Sequence, residues 1–219
     1  MASMNQPHLD PATLVQVEPE TYANLRYDSK RRFCSYWHQL NEIHNVGART
    51  VAEIGVGSRF TSTYLQRQGI QHTSIDIDAR LNPTITASVL DIPLEDNLFD
   101  VAVCFEVLEH LPFENFTPAL RELARISRGP VIISVPDATR ACRLLLRLPR
   151  NIKIQKVLQY PSIRRPRLAA NGEHHWEIGV ATFPLQRIHA AIDSAGLNCV
   201  KTYRVFEYIR HRFFILQKQ

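Results

Sequence analysis

The stretch Thr50-Val-Ala-Glu-Ile-Gly-Val-Gly-Ser-Arg limits what this chain can fold into more than any other. A short apolar run ends on Gly55, Gly57 follows, and Phe60 to Gln68 spaces its apolar residues as a helix that Gly69 stops. Glycine enters positive φ without strain and lets a ligand approach the main chain where a Cβ would block it. A strand, a glycine bend and a helix are half of a βαβ unit, and repeated units of this kind build a parallel sheet.

The alternation continues downstream. Thr73 to Asp78 reads as a second strand and Ile85 to Leu90 as a third, with only Ala79 to Thr84 between them. A parallel crossover ordinarily takes at least about ten residues, so either the crossover helix shrinks to a turn or the third strand is misplaced. Asp100 to Phe105 and Pro130 to Val135 are buried strands flanking a helix over Thr117 to Ser127. Pro184 to Ala195 is a helix ended by Gly196, and Asn198 to Glu207 with Arg210 to Lys218 form an antiparallel hairpin. The expected fold is α/β: a Rossmann-like, seven-stranded, mostly parallel sheet with an antiparallel C-terminal strand and helices on both faces.

With 219 residues and 45% hydrophobic content the chain can bury one large core. Upstream of the sheet, Pro19 to about Val46 suits one or two amphipathic helices behind a proline-interrupted lead-in, giving a helical cap over residues 1–46 and a main domain over 47–219. The first twenty residues carry no secretory pattern and no run is long enough to span a bilayer, which points to a cytoplasmic protein. Cys34, Cys104, Cys142 and Cys199 lack metal or disulfide spacing and read as buried free thiols. The formal charge is +5. No carboxylate lies between Asp137 and Glu173, whereas Arg140, Arg143, Arg147, Arg150, Lys153, Lys156, Arg164, Arg165 and Arg167 do. That region, a basic lid insertion at about 138–176, is broken by Pro149, Pro161 and Pro166 into short helical or irregular pieces lying over the sheet edge.

The glycine bend lacks the third glycine of a dinucleotide fingerprint and the G-K-[ST] ending of a Walker motif. Asp76 ends the second strand about 20 residues past the glycines, the spacing at which an acid accepts ribose hydroxyls. A solvent-facing strand-end acid is the plainer alternative. Then follows Asp91-Ile-Pro-Leu-Glu-Asp-Asn-Leu-Phe-Asp100, and after the fourth strand Glu106-Val-Leu-Glu-His110-Leu. With these motifs, residues 48–136 resemble the class I S-adenosylmethionine-dependent methyltransferases, in particular the type 11 group.

The resemblance implies S-adenosylmethionine as cofactor. The Glu53 to Ser58 turn, with Gly55 and Gly57, would pass under the methionine part, Asp76 would hold the ribose, and Asp91 would accept from the adenine amino group beside the Ile92 backbone. Phe105 and Glu106 would line the methyl end. The chain departs from the family at Arg59, where a third glycine is usual, and at Val56, where a small residue or cysteine is usual. Arg59 would fold over the cofactor carboxylate or face water.

Methyl transfer needs in-line alignment and, for a hydroxyl acceptor, removal of a proton. Candidate bases are Glu106, His110, His174 and His175, the last two inside Asn171-Gly-Glu-His-His-Trp-Glu177, where Trp176 would stack on a flat acceptor. The same cluster also reads as a packed loop or a metal site, of which the metal reading is the weaker. Arg140 to Pro149 reads as a helix, either lying on an anionic bilayer or packing its leucines on the sheet. The sum is an enzyme transferring methyl to a small-molecule or lipid-linked, anionic acceptor, O-methylation favoured, with peripheral membrane contact. Two alternatives stand beside it. One is an S-adenosylmethionine-binding regulatory module. The other is a nucleic-acid methyltransferase, which the absence of an N/D-P-P-Y/F motif and of a nucleic-acid-binding module argues against.

Overall fold

A computed structural model describes residues 17–150, 152–161, 168, 172–180 and 182–219. The lead-in before residue 17, and Arg164, Arg165, Arg167 and Asn171 of the basic region, lie outside them. The strands are β1 (Thr50–Ile54), β2 (Gln71–Asp76), β3 (Ile85–Thr86), β4 (Val101–Phe105), β5 (Val131–Pro136), β6 (Ala141–Leu148), β7 (Ile152–Gln159), β8 (Leu197–Arg204) and β9 (His211–Lys218). The helices are α1 (Lys30–Asn45), α2 (Phe60–Arg67), α3 (Phe116–Ile126) and α4 (Leu185–Ser194).

Seven strands form one sheet in the order β3-β2-β1-β4-β5-β9-β8, in which β9 runs antiparallel to both of its neighbours. Period-two alternation divides its side chains between two cores. Val101, Val103 and Phe105 of β4 join Phe213 and Ile215 of β9 under Ile43 of α1 and Leu65 of α2. Ala102 and Cys104 join Ile133, Phe214 and Leu216 on the other face, against α3 and α4. The nearly unbroken apolar runs of β4 and β5 follow from burial on both faces. At the end of β5, buried Asp137 accepts from Arg212 Nε at 2.7 Å and faces Arg204 Nε at 3.7 Å, tying β5 to the terminal hairpin.

The crossover before β3 is indeed a single 3-10 turn, Ala79–Leu81, and β3 itself shrinks to Ile85–Thr86, pairing with Ile75 and Asp76. Residues 19–45 form a 3-10 turn (Pro19–Ala23) and α1, whose Ser29 caps the Arg32 amide.

Three expectations are corrected. The Arg140 to Pro149 stretch is not helical: β6 and β7 make a separate antiparallel hairpin in which Leu148 pairs with Ile152, because Ile152, Ile154 and Val157 favour a strand. Of the four free cysteines only Cys104 is buried, while Cys142, on β6, is exposed. Trp176 is no acceptor platform: it is wholly buried, packs edge-on to Phe113 and Phe116, and donates from Nε1 to Leu111 O at 3.1 Å. Next to it Ile178 N donates to Pro136 O and Ala138 N to Ile178 O, so the 176–178 segment is fastened along the end of β5. Trp176→Ala should cost about 3–5 kcal/mol of stability, measured by urea unfolding, and Trp176→Phe markedly less. An alanine variant as stable as the wild type would show that this anchor is not what fixes the segment.

Candidate functional site

The site lies at the C-terminal ends of β1, β2 and β4, where parallel sheets of this kind place ligands. Glu53, buried near the end of β1, accepts from Ser62 Oγ of α2 and from His72 Nε2 of β2 at 2.7 Å. Its carboxylate is therefore turned inward, as a clamp between strand and helix. The chain then bends. Gly55 (φ 83°) donates to Ile75 O at 2.9 Å, and a Cβ there would fall 2.2 Å from Val107 Cγ2. Val56 N donates to Asp76 Oδ2 at 2.8 Å, and Asp78 N to Asp76 Oδ1 at 2.9 Å. Each oxygen of Asp76 thus accepts one amide and keeps lone-pair capacity for hydroxyl donors. Burial raises its pKa from the ordinary value, offset by the backbone amides of Asp78, Val56 and Ile77.

Arg59 neither folds over the bend nor faces water. It starts α2 in the left-handed region (φ 61°) and its guanidinium donates to the carbonyls of Leu81 (2.9 Å) and Asn82, bracing the short turn after β2. Asp91 is exposed at the head of the next loop. The Ile92 side chain is buried, its N–H donates to Glu122 Oε1 at 2.8 Å and its carbonyl accepts from Arg125 Nη2 at 2.8 Å, so this loop is pinned to α3.

A narrow cavity of about 40 Å³ opens on the bend, lined by Gly55 to Ser58, Phe105 and Glu106 from the sheet and by Tyr27, Arg32, Tyr36 and Gln39 from the N-terminal segment. The Arg32 guanidinium lies 3.9 Å from the Tyr27 ring centroid, and Tyr36 Oη donates to Asp28 at 2.6 Å and meets Ser58 Oγ at 3.0 Å. Tyr22 crosses the bend, 3.6 Å from where a Gly57 Cβ would stand. These N-terminal residues were missed by the reading of the sequence. The available signal was the spacing of Arg32, Tyr36 and Gln39, which share one face of α1.

Glu106 closes the far end. Its backbone is left-handed (φ 56°), an uncommon conformation for glutamate that turns the residue out of the strand. Its carboxylate accepts from Ser134 Oγ at 2.8 Å and lies 3.3 Å from His211 Nε2, while His211 Nδ1 pairs with Ser35 Oγ at 2.9 Å. Burial pushes the Glu106 pKa up to about 7, moderated by the Ser134 hydrogen bond and the Arg32 charge. Burial also holds His211 neutral.

Of the histidines, the fold brings His110 and His174 together, ring centroids 5.0 Å apart and nearly perpendicular. His174 Nδ1 is 2.9 Å from Glu177 Oε1, and Glu177 Oε2 accepts from Arg210 at 2.8 Å. His175 donates its amide to Glu109 O but exposes its side chain. The electrostatic influence of His174 and Glu177 reaches Glu106, so Glu106, His110 and His174 are one neighbourhood and the His175 ring is turned toward solvent.

Glu106 supplies a pH signature. A carboxyl whose folded-state pKa lies above its unfolded value contributes stability at low pH that is lost as pH rises through the folded value. Glu106→Gln mimics the protonated state and keeps an acceptor for Ser134. The melting temperature of the wild type minus that of the variant should therefore fall between about pH 4.5 and 7.5. A difference that stays level across that range would refute the raised pKa.

Residues 52–133 match the family described as methyltransferase domain. An uncharacterized protein of Methanocaldococcus jannaschii is 42% identical over 53 residues, which covers 23% of this chain and 22% of that protein. Among solved structures, the 1,6-didemethyltoxoflavin-N1-methyltransferase of Burkholderia thailandensis, with bound 1,6-didemethyltoxoflavin and S-adenosylhomocysteine, superposes at a TM-score of 0.61 with 16% identity, covering 100% of this chain and 93% of that one. S-adenosylmethionine-dependent methyltransferases from Archaeoglobus fulgidus (TM-score 0.59, 13% identity, 88% and 96% covered) and Aquifex aeolicus (0.56, 15%, 93% and 100%) share the fold.

Proposed function

We propose that this chain, whose residues 52–133 match the methyltransferase-domain family, binds S-adenosylmethionine over the Gly55–Ser58 bend and passes the methyl group to a hydroxyl of a small or lipid-linked acceptor. The reading is carried by one juxtaposition: a bend with two glycines stitched to the strand-end acid Asp76, with Glu106 across the same cavity. The residues fit the cofactor, because the bend carries no side chain at Gly55 and Gly57 and Asp76 retains acceptor capacity. Asp91, exposed beyond β3, serves the adenine end, and Phe105 the methyl end. Once bound, the cofactor supplies a methyl group already activated on a sulfonium.

The chain's own residues then have three tasks. The bend and Asp76 orient the nucleoside. Tyr22, Tyr27 and Arg32, part of the N-terminal cap, close over it and exclude water, so cofactor entry requires residues 17–29 to swing outward. Glu106, poised near neutrality, accepts the hydroxyl proton as the oxygen–methyl bond forms and the sulfur–methyl bond breaks. Calorimetry should show S-adenosylhomocysteine binding, weakened at least about tenfold by Asp76→Asn through loss of charge-assisted hydrogen bonds. Glu106→Gln should leave that affinity intact and lower transfer of labelled methyl to an acceptor panel by about 10²-fold or more. No heat with the product nucleoside would end the proposal.

The lipid-linked class is favoured by the β6–β7 hairpin. Paired residues share a face, so Leu144, Leu146, Leu148, Ile152, Ile154 and Leu158 lie on one side, relieved only by Lys156 and Cys142. The opposite face, with Gln155, Val157 and Gln159, lines a cavity of about 350 Å³ against Tyr203, Arg204 and Phe206. The apolar side points outward, Leu146 being 43% and Ile152 50% exposed, and Arg147, Arg150 and Lys153 cluster at the tip. An outward apolar face with a basic tip matches an anionic bilayer surface. Vesicles rich in phosphatidylglycerol should co-sediment the protein, neutral vesicles much less, and Leu146→Glu should abolish the difference. Equal sedimentation with both vesicle types would remove the bilayer from the reading.

A further inference from the structure

Behind Glu106 lies a group of side chains that the methyl-transfer reading does not use. Glu109 is 1% exposed, and its Oε2 has no hydrogen-bond partner among the described residues. A buried carboxylate oxygen without a partner costs several kcal/mol unless a cation compensates it. Glu106 and Glu177, of like charge, and Arg32, of opposite charge, all lie within electrostatic reach of it. Ligand atoms of Glu109, His110 and His174 all lie within 4.8 Å of one another.

The arrangement around the two imidazoles is that of oriented metal ligands. His174 Nδ1 is held at 2.9 Å by the buried carboxylate of Glu177, itself fixed by Arg210. His110 Nδ1 is held at 2.9 Å by the carbonyl of Glu173. A carboxylate or carbonyl on one ring nitrogen sets the tautomer and aims the other nitrogen as the donor. His110 takes part in a further interaction as well.

We propose that Glu109, His110 and His174 form a binding site for a divalent first-row transition ion, with Glu177 and the Glu173 carbonyl as its orienting shell. Two imidazoles and a carboxylate select Zn²⁺ or Co²⁺ over Ca²⁺ and Mg²⁺, which take oxygen ligands. Bonds of about 2.0–2.2 Å require ligand atoms about 3.5 Å apart, so rotation of the side chains by about 1 Å closes the site. Three protein ligands leave an open position. An ion held there would offer that position to a water or hydroxyl, whose pKa it would lower.

The test uses metal-stripped full-length protein titrated with Zn²⁺ by calorimetry and with Co²⁺ by visible absorption. One equivalent should bind, with ligand-field bands for Co²⁺ and a raised melting temperature with Zn²⁺. His174→Ala and Glu109→Gln should each abolish the bands. Glu177→Gln should weaken affinity by about 10–100-fold, and His175→Ala should leave it unchanged. If His174→Ala does not fold, loss of the Zn²⁺-induced melting shift in Glu109→Gln decides the matter. Absence of saturable binding by the wild type, or binding indifferent to Glu109→Gln, overturns the site. S-adenosylhomocysteine binding is measured on the same stripped protein, so failure of the metal site and failure of the cofactor reading are seen separately.

Discussion

The hydrogen bond from the Val56 amide to the Asp76 carboxylate is the constraint on which the rest of this site depends. β1 and β2 run parallel in register, Ile54 beside Ile75, so they end at the same level. Beyond that level Gly55 still donates to Ile75 O, and the next amide has no strand partner left. Asp76, buried and in need of donors, supplies it. The bend is thereby fixed in direction, α2 starts immediately after it, and Arg59 at that start reaches the turn at 81–82. The same bracing explains why so short a crossover suffices between β2 and β3: Arg59 holds its carbonyls, and the Asp78 side chain caps the Arg80 amide and grips the Arg80 guanidinium.

The other half of the site depends on a different anchor. Trp176 inserts into the core edge-on to the stacked Phe113 and Phe116 and fixes the 172–180 segment against the end of β5, which places His174 beside His110. Within that segment His174 turns inward, where Glu177 meets it, and His175 is exposed.

The sheet was legible because both kinds of evidence agreed in it: apolar runs of strand length, and glycines where the backbone must turn back on itself. The bend, Asp76 and the strand-end position of Glu106 were readable for the same reason. The hairpin was not. Arg140, Arg143 and Arg147 with leucines between them satisfy a helical repeat, and they satisfy a strand repeat equally well. The choice fell to β-branched residues on the partner strand, a non-local pairing that no window over 140–148 contains. Trp176 was misjudged because an indole flanked by histidines and acids looks like a surface recognition element, and only the three phenylalanines around it, brought from 113, 116 and 183, give it a core. The cavity wall formed by Tyr27, Arg32 and Tyr36 was hidden for a related reason: a polar helical face that touches a ligand pocket has the same composition as one that touches water.

Buried carboxylates separate structural from chemical purpose in this fold. Glutamate is seldom fully buried without partners, and several here have them. Glu53 holds Ser62 and His72, and Glu42 holds Lys201 at 2.8 Å and Tyr203 at 2.8 Å, each joining elements that must stay together. Glu177 joins His174 to Arg210. Among the described residues Glu109 Oε2 has no hydrogen-bond partner, and the like charges of Glu106 and Glu177 act on it along with the opposite charge of Arg32. A structural role would be served better by glutamine or an apolar residue, which avoid the charge. The carboxylate at 109 is therefore explained by a ligand that enters after folding, and the two imidazoles within reach of it, each already oriented by a hydrogen bond on its other nitrogen, specify what kind of ligand that is.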